Sequence, residues 1–325
     1  MISRRQWLGS TFSGLSLAGL ARGREEEKLA KKGRIFAWLR FEYDLNTLGA
    51  YAIDPDEGTW IRIGAEQMNP LARLSPDGST LAWLKDKAQG AYAGVFLCDI
   101  VAGESRLVTE KAGRISWSPD GKELIVSMGK REVGESKAEV GTWRIDRKTG
   151  RAFKMPIAES IQVVDWSSDG ETLLALEDEG AKNTGNRPLI AINLKGEQRR
   201  ELVNDDGVSF NQTFSPDGRQ AVFMRYEQKE DRLSQMGAWS IALDGTKRER
   251  MFDHLEGNRD PFHLRSSADG KRFAAILWGW AGEKTTSKMY YPQPENVLYV
   301  IDRSGESIRK IELPPVRLIR LIDWR

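Results

Sequence analysis

Five copies of one four-residue turn motif divide this chain at regular intervals. Their glycines are separated by 43, 49, 48 and 52 residues. A period in this range indicates an array of similar supersecondary units and argues against most enzyme folds. The copies are Ser75-Pro76-Asp77-Gly78, Ser118-Pro119-Asp120-Gly121, Ser167-Ser168-Asp169-Gly170, Ser215-Pro216-Asp217-Gly218 and Ser267-Ala268-Asp269-Gly270.

Each motif has the chemistry of a tight turn between two strands. Short apolar runs lie on both sides of it, such as Ile115–Trp117 before the second copy and Leu124–Met128 after it. Runs of this length that are bounded by turn residues favour strands over helices. Proline presets φ at the first corner, aspartate bonds the backbone just ahead, and glycine accepts positive φ. We therefore interpret the motif aspartate as a turn residue and not as a catalytic acid.

Every repeat contains a second turn, and this turn completes a four-stranded unit. In the second repeat Thr142–Asp146 leads to Gly150, and another strand follows. Four antiparallel strands in roughly 40–50 residues, repeated radially, make up a β-propeller blade. Complete units cover residues 70–109, 113–155, 161–203, 209–253 and 262–313.

The two ends of the chain supply the parts of one further blade. Residues 34–63 contain three strands but no inner strand and no turn motif, whereas residues 317–325 resemble an inner strand. Ile322-Asp323-Trp324 matches Val164-Asp165-Trp166 of a complete unit. Closing a ring removes exposed sheet edges. We predict an all-β, six-bladed β-propeller over residues 34–325, closed by the C-terminal strand joining the N-terminal blade.

Composition excludes several other classes of protein and site. The chain has 49 basic and 47 acidic residues and a net charge of +2, which is too balanced to indicate nucleic-acid binding. Its one cysteine, Cys98, lies in an apolar strand, and its two histidines have no zinc-ligand spacing. We predict no cofactor, no metal and, in the mature chain, no membrane span.

The first 33 residues have the layout of an export signal and linker. A basic start with Arg4-Arg5 precedes a weakly apolar run to Leu20, and small residues such as Ala18 and Ala21 offer a cleavage region. The paired arginines, followed by Trp7 and Leu8, resemble the twin-arginine signal of bacteria. An amphipathic helix, a disordered tail or an uncleaved tether are the alternatives. We expect a periplasmic or extracellular protein.

The complete repeat resembles the TolB-type, WD40-like propeller repeat. The resemblance rests on an aromatic residue before Ser-Pro-Asp-Gly, then Leu81-Ala82-Trp83 or Ala221-Val222-Phe223, then an Asp–Gly turn, and it covers about residues 34–325. It implies a propeller that binds proteins. TolB carries an α/β domain ahead of its propeller, and only about thirty residues precede the first strand here. We therefore expect this chain to lack that domain.

Long, dissimilar loops on one face of the predicted disc are the candidate binding surface. Binding residues are often carried by loops on a rigid scaffold, and aromatic residues with arginine are typical of contact hot spots. Packing against the neighbouring blade is the alternative for the tryptophans, and an ordinary hydrogen-bonded residue is the alternative for the histidine. The candidate residues are Trp278, Trp280, Tyr290, Tyr291, Phe262, His263 and Arg259.

Two classes of function remain open from the sequence, and a sensor or accessory component of a larger envelope complex is a third possibility that has the same sequence features as the first. The first is an exported, non-enzymatic propeller that binds a protein or cell-envelope ligand on its loop face. The second is a propeller lyase or glycan-active hydrolase in which His263 and a carboxylate move protons. Propeller lyases that resemble this repeat generally use several histidines at a metal, so the presence of only two histidines favours the first class.

Overall fold

The turn chemistry of the sequence produces six small antiparallel sheets. The computed structural model describes residues 33–41, 48–64, 71–86, 92–129, 139–178, 187–204, 208–226, 236–252, 255, 260–279, 293–294 and 296–325. Within these residues the strands form six sheets, which we number as blades I to VI. The predicted all-β, six-bladed propeller is confirmed.

Each blade is a four-stranded meander whose innermost strand comes first in the list that follows. Blade I contains β25 (Val316–Trp324), β1 (Ile35–Phe41), β2 (Gly49–Ile53) and β3 (Trp60–Ile63). Blade II contains β4 (Arg73–Leu74), β5 (Thr80–Asp86), β6 (Tyr92–Asp99) and β7 (Ser105–Thr109). Blade III contains β8 (Arg114–Trp117), β9 (Glu123–Met128), β10 (Gly141–Asp146) and β11 (Ala152–Lys154).

The second half of the ring repeats this order. Blade IV contains β12 (Ile161–Trp166), β13 (Thr172–Glu177), β14 (Leu189–Asn193) and β15 (Arg200–Val203). Blade V contains β16 (Val208–Phe214), β17 (Gln220–Tyr226), β18 (Met236–Ala242) and β19 (Glu249–Arg250). Blade VI contains β20 (Asp260–Ser266), β21 (Arg272–Gly279), β23 (Leu298–Asp302) and β24 (Ile308–Ile311), and a short β22 (Gln293–Pro294) pairs with β21.

The two chain ends share blade I, as predicted. Strand β25 pairs antiparallel with β1, with Ile35 opposite Trp324 and Leu39 opposite Ile319. The backbones of Arg34 and Arg325 exchange hydrogen bonds of 2.6 and 3.0 Å, and the Trp324 indole donates to the Gly33 carbonyl at 3.0 Å. Because the last strand is the innermost strand of this blade, the closure also completes the wall of the central channel.

Apolar side chains fill the interfaces between successive blades. One cluster joins Leu39 and Leu321 of blade I to Ile276 and Val300 of blade VI, and comparable clusters lie at the other five interfaces. The core is therefore a ring of packed interfaces around an open axis, and its rigidity positions the inner strands.

The repeated motif closes the turn between the first two strands of blades II to VI. In every copy the glycine N–H donates to the serine carbonyl at 2.8–3.0 Å, and the serine hydroxyl donates to the aspartate at 2.5–2.8 Å. These glycines have φ between 68° and 79°, where a side chain would be strained. The interpretation of the motif aspartates as turn residues is confirmed, and the five turns surround one mouth of the channel, the turn-face mouth.

Candidate functional site

A cavity of about 270 Å³ lies on the propeller axis at the turn-face mouth. All six blades contribute residues to its wall, through the ends of their inner strands and, in blades II to VI, through the second residue of the turn motif. Trp117, Trp166 and Phe214 contribute apolar wall. These aromatics are also buried, so the wall is part of the inter-blade packing. A group that enters here meets rigid strands instead of loops.

A ring of polar residues forms the chemically distinctive part of this wall. Each occupies the second position before the turn serine of its blade or, in blade I, the matching position of β25. In order around the ring from blade I they are Asp323, Arg73, Ser116, Asp165, Thr213 and Arg265. The two aspartates belong to opposite blades, and the two arginines belong to the blades on either side of blade I.

Asp165 is fully hydrogen-bonded by its own neighbours. One carboxylate oxygen accepts from the Ser116 hydroxyl at 3.3 Å and from the Trp166 N–H at 2.9 Å. The other accepts from the Thr213 hydroxyl and from the Phe214 N–H, both at 2.8 Å. These bonds connect blades III, IV and V, so we assign Asp165 a structural role as an inter-blade tie.

The two arginines differ from Asp165, because their known partners are backbone carbonyls. Arg73 donates through Nη1 to the Ala72 carbonyl at 3.1 Å, and Arg265 donates to the Ile322 and Leu264 carbonyls, both at 2.9 Å. Within the described part of the chain, neither guanidinium has a carboxylate within 4.0 Å. A guanidinium has five N–H donors, so among the described residues most of these donors have no acceptor.

The electrostatics of this side of the ring disfavour positive charge. Burial lowers the pKa of Arg73 to about 10, and the charge of Arg265 contributes next. Burial also lowers the pKa of Arg265, although Asp323 and Asp165 oppose that shift. Asp323 accepts from the Trp324 N–H at 2.8 Å and from Arg325 Nε at 3.1 Å. The charged residues that line the cavity are three arginines (Arg73, Arg265 and Arg325) and two aspartates (Asp165 and Asp323), and both aspartates already accept hydrogen bonds.

His263 lies deeper in the channel wall than Arg265. The two residues are two positions apart on β20, so their side chains share one face of that strand. The His263 side chain is 6% exposed, and among the described residues neither ring nitrogen has a hydrogen-bond partner. Burial, followed by the charges of Arg265, Arg73 and Arg320, lowers the pKa of His263 well below its ordinary value. The imidazole is therefore neutral near pH 7.

Of the predicted loop-face residues, the structure describes the side chains of Phe262 and His263. Phe262 is half-buried, with Arg320 5.2 Å from its ring centroid and the Phe210 ring at 6.2 Å. The backbone of Trp278 pairs with Asp260 and Pro294, but its side chain lies outside the described part. Arg259, Trp280, Tyr290 and Tyr291 lie outside it entirely. The contact role of these residues stays a prediction.

Sequence reasoning missed the arginine pair, although a usable signal was present. Arg73 and Arg265 stand at the same distance from the turn motif as Asp165, and a comparison of the repeats at that position alone finds all three. The described residues contain no group of three or more His, Cys, Asp or Glu that could hold a metal ion. They also contain no helix long and apolar enough to cross a membrane.

Comparisons with solved structures place the fold. TolB from Acinetobacter baumannii superposes with a TM-score of 0.63 at 15% sequence identity, covering 90% of this chain and 67% of TolB. The fold is TolB-like. An oligogalacturonate lyase in complex with manganese gives a TM-score of 0.53 at 15% identity, covering 81% of this chain and 70% of the lyase. At these identities the similarity concerns the fold alone.

Sequence comparison finds a relative that matches only part of the chain. Over 163 residues the chain is 28% identical to the uncharacterized peptidase YuxL of Bacillus subtilis. That match covers 49% of this chain and 22% of YuxL, so the matched part spans about a fifth of that relative's length. No protein-family model matches the chain.

Proposed function

We propose that this protein is an exported, non-enzymatic propeller that binds a protein or a cell-envelope ligand. The axial cavity is the observation that carries this proposal, because all six blades line it and hold its polar groups on rigid strands. A concave site with a few convergent polar groups is the default place for a ligand. The TolB-like fold supports a protein partner, and the export signal predicted in residues 1–33 supports a periplasmic or extracellular location.

The predicted loop-face residues are the second contact surface in this proposal. Trp278, Trp280, Tyr290 and Tyr291 are predicted from the sequence to supply aromatic area on the loop face, with Arg259 close by in sequence. Phe262 and His263 belong to β20, the strand that also carries Arg265 to the turn-face mouth. A ligand that follows the channel therefore has contacts available near both mouths.

Capture from a cell-envelope extract tests this proposal, with one variant for each mouth. Ala268 lies at the cavity rim and is exposed, so Ala268→Trp narrows the turn-face mouth, whereas Trp280→Ala removes an aromatic of the loop face. Glu306→Trp, on an exposed turn between the outer strands of the same blade, is the matched control. We expect a discrete bound species that the wild type and the control retain and that at least one of the other variants loses.

An enzymatic role is the competing proposal, and His263 is the observation that favours it. A buried imidazole with unpartnered nitrogens in a channel is suited to proton transfer, and a solved lyase shares the fold. Assays on uronate and neutral glycans, with metal content measured after refolding, separate the two functions. Robust turnover that is lost in His263→Gln, together with an empty capture experiment, would contradict the binding proposal.

A further inference from the structure

The arginine side of the axial ring has the composition of an anion site. Three arginines and two aspartates line the cavity, and Asp165 already accepts four hydrogen bonds from its neighbours. Arg73 and Arg265 come from the two blades that flank blade I, so their guanidinium groups approach the axis from two directions. An incoming anion thus meets arginine donors on two sides, and the Asp323 carboxylate between them already accepts hydrogen bonds from the Trp324 N–H and from Arg325.

Unsatisfied donors provide an independent reason to expect a ligand. Arg265 is 8% exposed and has no carboxylate partner among the described residues, and His263 beneath it is 6% exposed with both ring nitrogens unpartnered. Native proteins satisfy nearly all of their buried polar groups, and exceptions often mark a binding or catalytic role. His263 is such a group, and it shares a strand face with Arg265, which has N–H donors beyond the two that reach backbone carbonyls. This arrangement indicates a site built for an external acceptor.

The size and wall of the cavity narrow the class of acceptor. A volume of about 270 Å³ is at or below the lower end of the range for drug-sized ligands, so the cavity admits a small molecule or the tip of a larger one. Trp117, Trp166 and Phe214 give the wall of the same cavity apolar area on the side of blades III to V. A planar carboxylate accepts paired N–H donors from a guanidinium, and the carbon atoms behind it can pack on the aromatic wall.

We infer that the axial cavity binds an organic carboxylate through Arg73 and Arg265, with the unpartnered His263 ring available as a hydrogen-bonding group beneath them. This inference rests on the proposed binding function and names the chemistry that its site recognises. A free small-molecule carboxylate and the acidic side chain of a partner protein present the same group, and the choice of probes distinguishes these two sources.

The test is a titration of the full chain, followed by NMR at pH 7 and low salt, with four probes. These are glutarate, an acetylated and amidated Gly-Glu-Gly peptide, its Gly-Gln-Gly counterpart and inorganic phosphate. We expect the glutamate peptide or glutarate to bind at least tenfold more tightly than the glutamine peptide and phosphate. The tighter of the two carboxylates identifies the source. Equal binding of the glutamate and glutamine peptides, phosphate binding as tight as glutarate, or no carboxylate binding would overturn the inference.

Three arginine variants localise the binding. Arg73→Gln and Arg265→Gln should each weaken carboxylate binding at least tenfold. Arg106→Gln should leave it unchanged, because Arg106 belongs to the same blade as Arg73 and also donates to one backbone carbonyl, but is exposed on the outer strand. Arg265 donates to the Ile322 carbonyl of β25, so Arg265→Gln can disturb folding. In that case the carboxylate affinity of Arg73→Gln alone tests the inference. Unchanged affinity in Arg73→Gln contradicts the inference.

The outcome is separable from that of the capture experiment. If Arg73→Gln still captures the envelope species and binds carboxylate as tightly as the wild type, the binding function is supported and the arginine site is contradicted. If carboxylate binding depends on both arginines but no envelope species is captured, the arginine site is supported and the envelope partner is contradicted.

Discussion

The two sides of the axial ring use the same strand position for different purposes. On the side of blades III to V, Asp165 accepts four hydrogen bonds and connects three blades. On the side of blades VI, I and II, Arg73 and Arg265 donate to backbone carbonyls and have no carboxylate partner among the described residues. The repeat therefore fixes where the side chain lies. A side chain whose hydrogen-bonding groups are all paired with neighbouring blades is structural, whereas one that keeps unpaired donors is a candidate for ligand binding.

The largest effect should come from removing the strand that builds the arginine side. Deletion of residues 316–325 removes β25, with the buried side chains of Ile319, Leu321, Ile322 and Trp324. Burial of each is worth about 1.5–3 kcal/mol, so the loss is on the order of 6–12 kcal/mol, comparable to the whole stability of a domain. We expect no cooperative urea transition, measured by tryptophan fluorescence.

Arg317→Gln is the matched control for this deletion. It changes an exposed residue of the same strand and should unfold like the wild type. A truncated chain that keeps the wild-type urea midpoint would show that β25 contributes little to the ring.

The next largest effect should come from Asp165. Asp165→Asn removes the charge and replaces one acceptor oxygen by an NH₂ donor. Two donors then lose their acceptor, either those of Ser116 and Trp166 or those of Thr213 and Phe214. We expect a loss of roughly 2–4 kcal/mol in the free energy of unfolding, measured by urea titration. Asp323→Asn should cost less, because two hydrogen bonds reach that carboxylate. Equal losses in the two variants would contradict the role of Asp165 as an inter-blade tie.

A pH-dependent effect should come from His263. Its folded pKa lies below the ordinary value of about 6.5, because burial and the charges of Arg265, Arg73 and Arg320 oppose protonation. The unfolded chain therefore binds the proton first, and stability is lost as the pH falls below about 6.5. The loss is at most about 1.4 kcal/mol per pH unit.

Urea titrations at pH 7, 6 and 5 measure this slope in the wild type and in His263→Gln. The variant should lose less stability over this range. The turn aspartates do not interfere, since their pKa values are lowered from 3.8 and they titrate below this window. An equal slope in both proteins would show that His263 is not held neutral.

The fold could be predicted from the sequence because each of its determinants is local. The turn motif supplies its own hydrogen bonds, and the match between Ile322-Asp323-Trp324 and Val164-Asp165-Trp166 reveals the closing strand. The arginine side could not be predicted in this way. Arg73 and Arg265 are 192 residues apart, and only the closure of six blades brings their charges within range of each other.

On the loop face, the sequence predicts candidate residues without distinguishing their roles. Trp278, Trp280, Tyr290 and Tyr291 are candidates because they are aromatic, but their sequence positions do not specify whether they pack or bind. The second position before the turn serine differs chemically from blade to blade, so a comparison that looks for similar residues between repeats passes over it. In a closed ring, that variation is what gives the axis its chemical character.

The stability of Arg73→Gln in the absence of ligand distinguishes a binding residue from a structural one. A residue that stabilises the fold lowers stability when it is lost, whereas a partly buried charge kept for binding costs stability while it is present. We expect the free energy of unfolding of Arg73→Gln at pH 7 to stay equal to that of the wild type or to rise by about 1 kcal/mol, with Arg106→Gln within about 0.5 kcal/mol of the wild type. A loss of about 2 kcal/mol or more, similar to that of Asp165→Asn, would contradict it.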